Sequence, residues 1–357
     1  MNIKCNIILS SLSEHLTQIL SGFGVLQKNN IIELSISKDK KFEIGHLSKP
    51  ILKVIINNSI KVVYDTFDGS SISVDDYNWC DFYFKRSFDR VLISDSYKLK
   101  KIFPLGLNYS VYGPNNFYKY KLYYSISSVK SVKNIKNLII PLIRTSKNLS
   151  RIFKTSNGCY TSFYQNFESI PRFEQPPKIL FLTRLWDPNR TKSKKLIEER
   201  HFINQMRIDI IRSLKKEFPK IFVGGLAPDE FTNKAAPDCI VTDQKIIQKK
   251  EYLASLKTAN ICISNQGLLG SNGWKLAEYV AGAKSIVSEK LNYEVPGNFL
   301  SGKNYLEFST IDDCIQKVDF LVKDPDLRYK MMVENYNYYH QFLRPDMLIW
   351  NTLKEVF

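Results

Sequence analysis

The sequence predicts an α/β protein of two domains, and three observations carry that expectation. Short apolar runs alternate with helical segments and polar loops along most of the chain. A proline-rich break, Pro171-Arg172-Phe173-Glu174-Gln175-Pro176-Pro177, interrupts the alternation near the middle. After it, strand and helix signals repeat more cleanly, the pattern of a parallel, doubly wound sheet whose ligand lies beyond the carboxyl ends of the strands. With 357 residues, each half is long enough to bury its own core.

Before the break, strands are expected at 3–9, 31–36, 60–64, 82–84 and 101–104, with a helix-like segment at 13–21. After it, 178–185 reads as a first strand. Ile203, Met206, Ile210, Ile211 and Leu214 then recur at helical spacing on a segment closed by Lys215-Lys216, as cations near a helix C-terminus favour. Strand-like runs follow at 221–223 and 239–241, a helix at 244–257, a strand at 260–264 and another at 285–288. A helix opens near Trp274 and closes at Gly282. The aromatic segment 336–357 is broken at Arg344-Pro345, so it reads as two helices separated by a proline.

Composition excludes several classes. The hydrophobic fraction is 44%, which suits a globular chain. No apolar run approaches the roughly 20 residues that span a bilayer, and the apolar start is too short for a signal peptide, so a cytoplasmic protein is expected. The six cysteines are scattered without a C-x-x-C pair, pointing to neither zinc nor a disulfide framework. The net charge of +16 is uneven: no acidic residue lies between Asp95 and Glu168, where Lys98, Lys119, Lys133 and Arg151 are among many cations interleaved with tyrosines. Two readings stand for this segment, a solvated basic face or contact with an anionic membrane surface or substrate. Nucleic acid ranks lower, because no helix-turn-helix, zinc finger or RNP-type motif accompanies the charge.

The segment 265–288, NQGLLGSNGWKLAEYVAGAKSIVS, carries the clearest chemistry. Gly267, Gly270 and Gly273 separate a strand from a helix, where close backbone approach and helix-start N–H groups favour a diphosphate. Glu278 lies one turn inside that helix on the side of Lys275. It is placed either to accept from ribose hydroxyls or to pair with Lys275 at the surface. Ser271 and Asn272 can cap the helix or touch phosphate. Arg184 closes a strand at the same sheet edge and reads as a phosphate cation or a surface residue. In the first half, His15 reads as structural, ahead of a catalytic role in an inverting enzyme. Asp65 and Asp68 read as cleft residues, with a metal-binding role ranked far below. Lys85 and Arg86 face either a cleft or solvent.

These residues resemble the donor-binding part of the group 1 bacterial polysaccharide and lipopolysaccharide glycosyltransferases, of GT-B fold. The family's pattern E-G-F-G-L-P-x-x-E places its second acid on Glu278, its second glycine on Gly273 and the following A-x-G element on Ala281-Gly282-Ala283, while its first acid falls on Gly270. Downstream, Gly302-Lys303-Asn304-Tyr305-Leu306 with Asp312-Asp313 is similar to a G-x-N-G-L-L then D element. Residues 320–325 with Arg328 and Met331 are similar to an L-L-x-D-P, R, M helix pair, and 178–185 is similar to the strand ending G-R-L. The lysine and glycine usual after that arginine are replaced by Trp186-Asp187-Pro188 and a basic insertion, which leaves open the lysine that contacts diphosphate.

The resemblance implies two Rossmann-like doubly wound domains facing a cleft: 1–172 on the acceptor side, 173–343 binding the nucleotide-sugar, and a C-terminal helix, 344–357, crossing back. It implies metal-independent sugar transfer, with a nucleotide-sugar as co-substrate rather than a cofactor and a glycan or lipid-linked acceptor at the inner face of a membrane. Arg184 and Lys275 are the catalytic candidates, and Glu278, Gly270, Ser271, Asn272 and Gly273 the donor-binding ones. The alternative is a non-catalytic glycan- or nucleotide-binding protein on the same fold.

Overall fold

The computed structural model describes residues 3–11, 13–43, 50–94, 101–114 and 162–357. The chain divides into two compact α/β units, Met1–Asn166 with Glu294–Pro296 and Gln341–Phe357, and Phe167–Tyr293 with Gly297–His340. Of the acid-free segment, 96–100 and 115–161 fall outside the described residues, and with them most of the cations on which a membrane-surface role was read. Lys101, which is described, serves structure: its Nζ donates to Tyr77 O and Cys80 O and lies 3.9 Å from the Tyr77 ring centroid.

In the first unit the strands are β1 (Ile3–Ser11), β2 (Ile32–Glu43), β3 (Ile51–Ile56), β4 (Ile60–Asp65), β5 (Phe82–Lys85) and β6 (Ile102–Pro104), in the order β2-β1-β3-β4-β5-β6. Only β3 runs against the rest. It was not expected as a strand, and it forms a hairpin with β4 through Asn57 and Asn58, at φ 49° and 60°. Asparagine tolerates that region better than most residues, and the primed turn matches strand twist.

Helix α1 (Thr17–Lys28) is buried along most of its length, and the last helix of the chain packs on it. A Cβ at Gly22 would stand 2.1 Å from Pro345 O, so only glycine allows this approach. Leu348, Ile349 and Leu353 join the core of the first sheet. Gln18 donates to Leu343 O at 2.9 Å, and Tyr64 Oη lies 2.8 Å from Thr352 Oγ1. The C-terminal helix therefore belongs to the first unit.

The second unit holds an all-parallel sheet in the order β11-β10-β9-β7-β8, from β7 (Ile179–Thr183), β8 (Phe222–Leu226), β9 (Ile261–Ser264), β10 (Ser285–Glu289) and β11 (Leu306–Phe308). The expected strand at 239–241 is instead a 3-10 turn, Pro237–Cys239, with one bridge from Ile240 to Leu226. The helix expected at 244–257 is a 3-10 turn followed by an α-helix, Lys249–Thr258.

The D-P, R, M pattern proves to be structural. Asp324 caps the helix Pro325–Tyr338 by accepting from Leu327 N. Arg328, 1% exposed, donates to Leu321 O and Val322 O in the last turn of the preceding helix, and Met331 lies in the core.

Lys284 is a buried cation beside this core, 1% exposed, donating to Lys257 O near a helix C-terminus. Burial lowers its pKa to about 8, a shift that Cys262 opposes and Arg172 reinforces. The unfolded chain thus binds more protons between pH 8 and 10.5, so this group's contribution to stability rises across that window, by about 3 kcal/mol. Lys284→Met is expected to be more stable than the parent by about 1–2 kcal/mol at pH 7, with the gap closing by pH 10. Denaturant titrations of both proteins at the two pH values check this; a variant less stable at pH 7 contradicts it.

Candidate functional site

In the second unit β7, β8, β9 and β10 end along one edge, at Thr183, Leu226, Ser264 and Glu289. That edge of a parallel sheet is where loops and helix starts converge on ligands. Arg184 is the first residue beyond β7. It is exposed, with its guanidinium carbon 4.2 Å from the Trp186 ring centroid. The Trp186 main chain is fixed by the Asn204 side chain, its N donating to Oδ1 and its O accepting from Nδ2, both at 2.8 Å, so the residue under the cation is anchored through its backbone.

The glycine loop after β9 is folded on itself. Gly267 N donates to Ser271 O and Ser271 N to Leu268 O, while Leu269 and Gly270 take φ 59° and 64°. Gly270 N donates to Glu199 Oε1 at 3.1 Å. These three N–H groups of the loop expected to seat a diphosphate are therefore bonded within the protein. A carboxylate from a distant helix stands at Gly270, where the family's first acid would fall. Gly273, rather than Ser271 or Asn272, is the N-cap of the helix Trp274–Ala281, and it brings no side chain to the helix start. Ser271 and Asn272 are buried, and Asn272 donates to Tyr293 O.

Glu278 is 5% exposed and so is not the solvent-facing residue that simple pairing with Lys275 suggests. Its Oε1 receives Lys249 Nζ at 3.0 Å. Its Oε2 receives Lys275 Nζ at 2.9 Å and the Tyr252 hydroxyl at 2.5 Å. Burial alone would raise its pKa, but Lys249, Lys275 and the Tyr252 hydroxyl hold it at about 2. Both lysines also lie over aromatic rings, Lys275 over Tyr252 at 3.4 Å and Lys249 over Phe167 at 4.4 Å. Lys249, Tyr252, Glu199, Arg207 and Glu289 were not foreseen from sequence. Glu289 accepts from Gln266 N at 2.7 Å and its pKa is raised by burial. A cavity of about 700 Å³, lined by Lys215, Phe222, Gly224, Asp243, Glu251 and Thr258, lies beside the first half of β8 and includes none of these site residues.

In the first unit, Asp65 and Lys85 are both fully buried and joined at 3.0 Å, so neither faces a cleft or solvent. Arg86, 3% exposed, bonds Asp68, and His15 Nδ1 stands 4.0 Å from the same carboxylate oxygen. Burial lowers the His15 pKa, opposed by Asp68 and helped by Arg86. Among the described residues no cluster of three or more His, Cys, Asp or Glu is placed to hold a metal, and no helix is long and apolar enough to cross a membrane. Cys5, Cys80, Cys239, Cys262 and Cys314 are free and buried, as the core reading requires; Cys159 lies outside the described residues.

No family of known proteins and no curated relative matches the sequence. Among solved structures, S. aureus MnaA with UDP is similar over 100% of this chain and 96% of its own, at 9% identity and TM-score 0.45. The UDP-GlcNAc 2-epimerase of Neisseria meningitidis bound to UDP-GlcNAc covers 97% and 98%, at 14% and 0.43. The C-terminal domain of a glycosyl transferase group 1 family protein (LpcC) from Francisella tularensis covers 50% and 96%, at 15% and 0.33. At these values the likeness assigns no residue role and no reaction.

Proposed function

We propose that this chain is a glycosyltransferase that moves a sugar from a nucleotide-sugar to a glycan or lipid-linked acceptor in cell-surface polysaccharide assembly. The observation that supports it is that Arg184 follows β7 and the glycine loop follows β9 at the carboxyl edge of a parallel sheet, with Lys275 in the first turn of the helix after that loop and paired, like Lys249, with Glu278. Breaking a glycosidic bond to a nucleotide leaves charge on the diphosphate. Cations fixed at that edge stabilise the charge as it develops.

In this reading Arg184, held on Trp186, meets the leaving diphosphate. Lys275, with 37% of its side chain exposed, is the lysine with the freer reach, since Lys249 has only 19%. Glu278 sets both lysines and keeps an acceptor position on Oε1 for a ribose hydroxyl. Gly270, Ser271, Asn272 and Gly273 shape the seat.

Thermal-shift measurements with a panel of nucleoside diphosphates and their sugars test the donor, and release of nucleoside diphosphate by the purified protein tests turnover. Arg184→Ala is expected to keep most donor affinity and lose about 100-fold in rate. No shift with any nucleoside diphosphate contradicts the donor assignment. Tight binding without turnover favours the non-catalytic alternative.

A further inference from the structure

We infer that Arg207 is the buried cation of the diphosphate subsite, a positioning residue that fixes Arg184 and the turn after β9 and sets a positive charge behind them. This rests on the nucleotide-sugar reading and deepens it. Arg207 lies on the helix Lys194–Glu217, in line with Ile203, Ile210, Ile211 and Leu214, where the apolar stripe of that helix calls for a hydrophobic residue. It is 6% exposed. Its guanidinium reaches the carboxyl ends of β7 and β9 and donates to three oxygens: Nη1 to Arg184 O, Nε to Asn265 Oδ1 at 3.3 Å and Nη2 to Gln266 O at 3.4 Å.

All three acceptors are neutral, so the charge is buried without a bonded carboxylate. Desolvating a guanidinium is costly, and a neutral amide could tie the same oxygens together without that cost. What arginine adds is charge. Glu289 attracts it from beyond bonding distance and is itself bonded to Gln266 N, while Arg184 repels it. Burial and Arg184 push the Arg207 pKa down to about 9, which leaves it cationic at neutral pH. Two arginines thus meet at one edge, one exposed on Trp186 and one enclosed beneath it. A pyrophosphate group relieves their repulsion, and the enclosed charge is little screened by salt. Because a nucleoside diphosphate carries more negative charge than a monophosphate, Arg207 acts on discrimination between the two.

Calorimetric titrations of the full chain and of Arg207→Met and Arg207→Lys, with nucleoside mono- and diphosphates and inorganic pyrophosphate, test this. Wild type is expected to prefer the diphosphate. Arg207→Met should lose about tenfold or more of that preference with monophosphate affinity little changed, and Arg207→Lys should recover part of it. Wild type titrated at rising salt supplies a readout that does not depend on the variants folding: a preference set by an enclosed charge is largely kept, because that charge is little screened. An unchanged preference in folded Arg207→Met, or a wild-type preference abolished by moderate salt, overturns the inference. Pyrophosphate binding that depends on Arg207, without binding of any nucleoside diphosphate, keeps the subsite and removes the glycosyltransferase reading. Binding of neither overturns both.

Discussion

Glu278→Ala is expected to destabilise the second unit by about 3 kcal/mol. The substitution leaves Lys249 and Lys275 facing one another beside Tyr252 with no counter-charge, and removes the acceptor of the Tyr252 hydroxyl. Breaking a buried pair by taking one partner typically costs 3–5 kcal/mol; Lys275 keeps 37% of its side chain in water and can relax, which places this case at the low end. Proton linkage gives a similar figure. The Glu278 carboxyl has a folded pKa of about 2 against 4.5, so its contribution is complete above pH 4.5 and is lost as pH falls toward 2. Denaturant titrations of wild type and variant should therefore differ most near neutrality and converge in acid. Glu278→Gln should fall between them, since the amide keeps a hydrogen bond and lacks the charge. Equal stability at pH 7 would show that the cluster of Glu278, Lys249, Lys275 and Tyr252 contributes nothing to the fold.

The sequence located the edge of this site better than its interior. Arg184, the glycine loop and Glu278 were visible because strand ends and glycines have local signals. Glu199, Lys249 and Arg207 reach the edge from helices far away in the chain, and no local pattern ties them to it. Arg207 was hidden further by the apolar periodicity around it, which read as a plain buried face. Glu278 was seen in the right place, but its burial was not, because the two lysines that permit it lie on different helices. The α/β class and two-sheet organisation were legible from the alternation. β3 was missed although Asn57-Asn58 signals a hairpin, and 239–241 had a strand's composition while Pro237–Cys239 spends its backbone on a turn. Several elements behind the family resemblance, Asp324, Arg328 and Met331 among them, cap helices or fill the core. They carry fold rather than chemistry.

The second large effect belongs to the first unit, where Asp65→Ala is expected to cost about 4 kcal/mol. Asp65 and Lys85 close adjacent parallel strands, and both side chains are fully buried. The carboxylate also receives the Tyr83 hydroxyl at 2.6 Å and Phe67 N at 2.9 Å, so alanine removes the anion beside a buried cation together with the acceptor of a phenol and of a backbone donor. The Phe67 ring, 5.5 Å from Lys85 Nζ, is too weak a partner to replace an anion. Asp65→Asn keeps an acceptor for Tyr83 and loses the charge, so it should fall between wild type and alanine. Asp65→Leu combined with Lys85→Met removes both charges and should recover most of the loss, because the desolvation cost of the pair disappears with its attraction. Equilibrium denaturation of the three variants decides the matter. If the double variant is as unstable as Asp65→Ala, the loss comes from packing and the orphaned Tyr83 hydroxyl rather than from the stranded charge of Lys85.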